Sequence, residues 1–252
     1  MHETTFQSKR LLLRIGSITF LTGLAIFTIS TAFHASREDP TNHLRVFAEY
    51  ANSPPWIAAH IGQFVGEIMI FAGGFVALFR LLVQSESMTV SILAWIGFTT
   101  AIIAASTLSI LQAVDGIALK RAVDSWVIAP AGEKMAAFRV AEGIRWTEVG
   151  TNSIYRILQG TVTIVFGVAI TLSPVFGRWI GAIGIFLGAV TIAAGVEVAY
   201  VGFASYSSVG VGANWYSNIW VGILGAFMWI RTRQEVQEDS KGTTKTVGKD
   251  GR

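Results

Sequence analysis

The chain of 252 residues contains no cysteine, which excludes disulfide bonds and every thiolate metal site. Charge is scarce as well: Asp, Glu, Lys and Arg together supply 14% of the residues, where a soluble domain carries about 25%. A basic face is also missing, since the net charge of +3 at a pI near 9.3 is small and is not gathered on a soluble domain; nucleic acid is therefore not expected as a partner. Only four histidines occur, and none forms an HxxxH or HExxH pair, so the spacing of a helical zinc hydrolase is lacking. No cofactor signature is present.

What the chain has in excess is apolar length. Hydrophobic residues make up 52% of it, and the mean hydropathy is +0.54. Contiguity matters more than the total, because a hydrocarbon core of ~30 Å needs about 20 apolar residues from one helix. Six such runs are read, at residues 15–33, 56–82, 91–113, 152–172, 179–201 and 209–230. The last is diluted in its first half by Asn214, Tyr216, Ser217 and Asn218. The expected fold class is an all-α integral membrane bundle of six transmembrane helices. The lipid bilayer is then its first partner.

Basic residues orient the bundle. Lys9, Arg10 and Arg14 precede the first run, Arg80 and Arg178 lie in connections on the same side, and Arg231, Arg233, Lys241, Lys245, Lys249 and Arg252 follow the sixth. The positive-inside rule puts both termini in the cytoplasm of a multi-pass cell-membrane protein. Arg37 and Arg45 in the first outer loop, and Lys120, Arg121, Lys134, Arg139 and Arg145 in the middle connection, weaken the bias without reversing it. The first run resembles a signal peptide in its basic start and Ser30-Thr31-Ala32. Its length exceeds the usual 7–15 residue core of a signal, so a retained helix is expected.

Residues 114–150 read as an extracytoplasmic helical hairpin. Helix-favouring residues continue from Asp115 to Arg121, Ala129-Pro130 interrupts them, and Met135, Phe138, Ala141, Ile144 and Val149 resume at helical spacing. Residues 231–252 are polar, without apolar periodicity, and are expected to form a disordered cytoplasmic tail. Internal repetition is confined to Trp95-Ile96-Gly97 and Trp179-Ile180-Gly181.

The ionisable residues inside the runs share one depth. His60, Gln63 and Glu67 follow at i, i+3 and i+7, within roughly 60° of a helical wheel. Gly62, Gly66 and Gly73 mark a different face, suited to a close helix neighbour. Eleven residues beyond Trp56, Glu67 lies ~16 Å along its helix, near the bilayer centre. Arg145, Glu148, Asn152, Tyr155, Arg156 and Gln159 occupy roughly 100° of the fourth helix. Ser109, Gln112 and Asp115 close the third run, and Glu197 and Tyr200 the fifth, where Gly184, Gly188 and Gly195 take the packing face. A buried charge in hydrocarbon costs about 2.5–3.5 kcal/mol on insertion scales, so these groups are expected to meet one another.

The expected site is a polar pocket open to the extracytoplasmic side, lined by His60, Gln63, Glu67, Gln112, Asp115, Asn152, Arg156, Gln159 and Glu197, with Arg145 and Glu148 at its mouth. Arg156 is the cation expected to face Glu67 or Asp115. The competing reading is structural, since polar side chains also tie membrane helices together at ~0.6 kcal/mol each. Three function classes follow: binding of a small or lipid-like ligand, or organisation of membrane partners; solute- or proton-coupled transport through Glu67, His60 and Arg156; and metal-dependent intramembrane hydrolysis with His34, His43 and His60 plus a carboxylate. Ligand binding is favoured over catalysis. The inner halves of the runs are too apolar for an evident transport route.

The segments HASREDPTNHLRVFAEYANSPPWIAAHIGQFVGE and LQAVDGIALKRAVDSWVIAPAGEKMAAFRVAEGIRWTEVGTNSIYRILQG resemble a group of uncharacterised prokaryotic multi-pass membrane proteins of the domain-of-unknown-function kind. The resemblance implies a prokaryotic integral membrane protein and brings no activity with it.

Overall fold

A computed structural model describes residues 2–34, 41–204 and 208–247, with side chains for 7–34, 41–203 and 215–234. Among the described residues the chain is all-α without strands, with seven helices joined by short connections: α1 (His2–Ala32), α2 (His43–Ala51), α3 (Trp56–Val83), α4 (Met88–Ile128), α5 (Lys134–Leu172), α6 (Arg178–Val201) and α7 (Ser208–Val247), and a single 3-10 turn at Gly202–Ala204. Five of them, α1 and α3 to α6, are long and apolar enough to cross a membrane. The sixth apolar run forms the first half of α7.

The long helices close a ring. Each packs against the next in the order α1, α3, α4, α5, α6, α7, and α7 returns to α1. Backbones approach closely where glycine allows it: a Cβ on Gly66 of α3 would lie 2.6 Å from the Gly23 carbonyl oxygen of α1, and one on Gly160 of α5 would lie 2.5 Å from that of Gly188 on α6. The neighbour expected on the glycine face of α3 is thus α1, and small residues set the spacing, as they do in lipid. Gly202 ends α6 at φ 62°, a left-handed conformation that a side chain disfavours.

Two of the expectations for the connections are revised. The first outer loop contains α2, capped by the Asn42 side chain accepting from the Arg45 amide at 3.2 Å; Arg37 lies outside the described residues. The helix of the final run does not stop at Arg231 but continues to Val247. Its Gln-, Glu- and Lys-containing sequence lacks an apolar stripe yet is rich in helix formers, which extend a helix once α7 has nucleated it.

The hairpin is built from the ends of membrane-length helices. With 41 and 39 residues, α4 and α5 run about 60 Å each, twice a hydrocarbon core. Their projecting ends meet at Ala129–Glu133, where the Glu133 amide bonds the Pro130 carbonyl at 2.9 Å. Together with α2 they form a cap with its own small core of Val46, Phe47, Tyr50, Trp56, Leu119 and Val123. A second, larger core fills the ring at the end away from the cap.

Candidate functional site

Two wide π-helical segments interrupt the helices, Met69–Phe75 in α3 below Glu67 and Ala113–Leu119 in α4 beside the cap. Such turns recur at functional sites because they reorient backbone and side chains locally. Here the second presents the Asp115 carbonyl to the Trp56 indole, which donates to it at 3.1 Å. Gly116, the next residue, leaves room for His60: a Cβ there would lie 2.4 Å from the His60 Cβ.

Below this junction lies a cavity of about 360 Å³. Gln63 and Glu67 reach it from α3, Gln112 and Asp115 from α4, and Asn152, Arg156 and Gln159 from α5. Tyr155 also lines it, as do Thr31 and His34 from the end of α1. Phe27, Leu108, Leu111 and Trp215 supply an apolar wall. Gln63 donates to the Thr31 hydroxyl at 3.2 Å, and Asp115 faces His60 at 3.1 Å.

Four other lining residues each carry a buried polar atom without a hydrogen bond. Glu67 is 2% exposed and faces the Tyr155 hydroxyl, yet neither Glu67 Oε2 nor that hydroxyl has a hydrogen bond of good geometry. The same holds for Gln112 Oε1 and Asn152 Oδ1. An orphaned buried polar group costs about 1–3 kcal/mol. Four of them around one hollow space exceed what close packing tolerates.

About two turns beyond Glu67 along α3, past the residues that line the cavity, lies an aromatic floor of the packed core. Phe75 stacks on Phe166 at 5.2 Å and lies 6.3 Å from Trp220, with Phe20 edge-on at 5.3 Å. The Trp220 indole is anchored to the Ile180 carbonyl at 2.9 Å. Ser217, one of the residues diluting the final run, faces inward and contacts the Thr163 and Thr191 hydroxyls at 3.3 and 3.1 Å. These bonds join α5, α6 and α7.

The other expected site residues lie elsewhere. His60 stands behind Asp115, its Nε2 3.1 Å from Asp115 Oδ2 and its Nδ1 2.8 Å from the Trp56 carbonyl. Arg145 and Glu148, expected at a mouth, are fully buried in the cap and paired at 2.5 Å. Arg145 also donates to the Tyr50 hydroxyl at 2.9 Å and lies between the Phe203 and Tyr50 rings at 4.6 and 5.5 Å. It borders a second cavity of about 440 Å³ under the cap, with His43, Glu142 and Trp146. His43 bonds Glu142 at 3.1 Å there, away from His34 and His60. Glu197, half-buried on α6, does not line the polar cavity.

Sequence reading missed several lining groups. The phase of Tyr155 on the polar face of α5 was a usable signal. Thr31, Trp215 and the structural part of Trp56 gave none, since a single threonine or tryptophan in an apolar run has no distinguishing pattern.

The chain has no match among protein families, curated proteins or solved structures.

Proposed function

We infer that the chain is a six-span membrane protein that binds an amphiphilic small molecule or lipid in the cavity between α3, α4 and α5, with the cap outside the cell and both termini in the cytoplasm. The observation that carries the binding reading is the group of unsatisfied polar atoms around a hollow bounded on one side by apolar rings. Glu67, Gln112 and Asn152 offer acceptor oxygens, while Arg156 offers a cation. A head group with hydroxyl or amine donors and one anionic group matches that set. Phe27, Leu108, Leu111 and Trp215 suit its apolar portion.

The membrane placement is supported by two bands of exposed aromatic residues. Trp95 and Trp179, 54% and 55% exposed, lie toward the end of the ring away from the cap; Trp146 and Tyr200, 57% and 86% exposed, lie toward the cap. Trp and Tyr favour the two membrane interfaces. From Trp179 to Tyr200, α6 covers about 32 Å at 1.5 Å per residue, close to a hydrocarbon thickness. The apolar side chains exposed between them, Phe186 and Val196, face outward as lipid contact requires.

Purified protein is examined by native mass spectrometry and extracted for lipid analysis, beside Glu67→Gln and Arg156→Gln. Wild type is expected to carry an amphiphile that both variants lack at unchanged melting temperature. An identical lipid complement in all three would overturn the reading.

A further inference from the structure

We propose that His34, His60 and Asp115 form a binding site for a zinc-class divalent metal at the cap end of the cavity. One ligand atom from each lies within 4.8 Å of the other two. The three come from separate places in the chain, the end of α1, the first turns of α3 and the π segment of α4. The site goes beyond the amphiphile reading and does not depend on it.

His60 carries the argument. It is 2% exposed, and its Nδ1 lies 2.8 Å from the Trp56 carbonyl. A carbonyl can only accept, so Nδ1 bears the hydrogen and, in the neutral ring, Nε2 is left with its lone pair. That is the arrangement in which a metal-ligating histidine is held by a second-shell carbonyl. Nε2 lies 3.1 Å from Asp115 Oδ2, with no other partner. Two lone-pair atoms at that distance repel unless a cation sits between or beside them. The cation is either a proton or a metal.

The surroundings favour the metal. The His34 ring lies 5.1 Å from that of His60 and 4.6 Å from that of Trp56, bringing a second imidazole to the same point. Ligand atoms on a tetrahedral zinc with bonds of about 2.0–2.2 Å lie roughly 3.4 Å apart, so the farthest pair must draw in by little more than an ångström. His34 follows the last turn of α1 on a bend and is only half-buried, so its ring can make that adjustment. His60 is fixed by its carbonyl, by Trp56 and by Gly116. Two imidazoles and a carboxylate are borderline ligands that suit zinc better than calcium or magnesium. Because His34 and Asp115 line the cavity, the position left open by three protein ligands faces it.

The test uses the full chain purified without a polyhistidine tag, stripped with chelator, and titrated with Zn²⁺ by calorimetry and with Co²⁺ by visible absorption. One equivalent is expected, with the intense d–d bands of a four- or five-coordinate site. His34→Gln, His60→Gln and Asp115→Asn should each abolish binding, whereas His43→Gln should leave it unchanged. If His60→Gln does not fold, the partly exposed His34→Gln and the isosteric Asp115→Asn still decide. The proposal is overturned if wild type binds no metal, if the three variants bind as wild type does, or if ¹⁵N shifts show a doubly protonated His60 that zinc leaves unchanged. Glu67→Gln should lose the amphiphile and keep the metal, so either reading can fail without the other.

Discussion

At the level of Phe75 the ring of helices is filled, whereas two turns earlier on the same helix, at Glu67, it is hollow. Both levels are enclosed by the same helices. Around Phe75 the neighbours are Phe20, Phe166 and Trp220, rings in contact, with the Trp220 N–H donated to the Ile180 carbonyl. Around Glu67 they are Tyr155, Gln112, Asn152 and Arg156, groups that cannot interdigitate without leaving donors or acceptors unmet. The difference separates what holds the bundle together from what the bundle can hold.

Breaking the filled level should have the largest effect. Phe75→Ala removes a 3%-exposed ring from the centre of the aromatic floor, an expected loss of about 3–5 kcal/mol. It is checked by thermal or denaturant unfolding in detergent. A loss below 1 kcal/mol would mean that the floor is not a packed core.

The hollow level should respond in the opposite way. Glu67→Gln is expected to change stability by less than about 1 kcal/mol, because the change is isosteric and Oε2 has no hydrogen bond to lose. A double-mutant cycle of Glu67→Ala with Arg156→Ala sharpens the point. Equal losses in the singles that are relieved in the double would make the two a structural pair and weaken the cavity reading.

The smallest effect belongs to the cap. The Arg139 guanidinium, 2.5 Å from Glu142 Oε2, holds that carboxyl below its ordinary value of 4.5, with the His43 contact adding to the shift. A carboxyl lowered on folding stabilises above its unfolded value, and the contribution disappears as pH falls through the folded one. Arg139→Ala should therefore flatten the melting temperature slightly between pH 5 and about pH 3. An unchanged profile would show that this exposed pair contributes nothing.

Helix content and the long apolar spans were legible because bilayer length and hydropathy act on whole segments of chain. The common facing of Gln63 and Glu67 with Asn152, Arg156 and Gln159 could be read from helical phase. The fate of Arg145 and Glu148 could not: they share that phase, but α2, whose position no periodicity in α5 encodes, covers them with Tyr50. Glu197 matched in depth along α6 and not in direction. The meeting of His34 with His60 depends on where α1 ends relative to the π segment of α4. A wheel drawn at 100° per residue does not contain that segment's extra residue.

The wide turn at Ala113–Leu119 also has a genetic reading. Such a turn amounts to one residue inserted into an ordinary helix, so deleting one restores regular α-helix while both flanks keep their facing. Gln112 would still point inward and Lys120 still toward the cap. The tether from Trp56 to the Asp115 carbonyl would be lost, and with it the placement of the carboxylate against His60. One codon thus separates an unbroken span from one that carries a site.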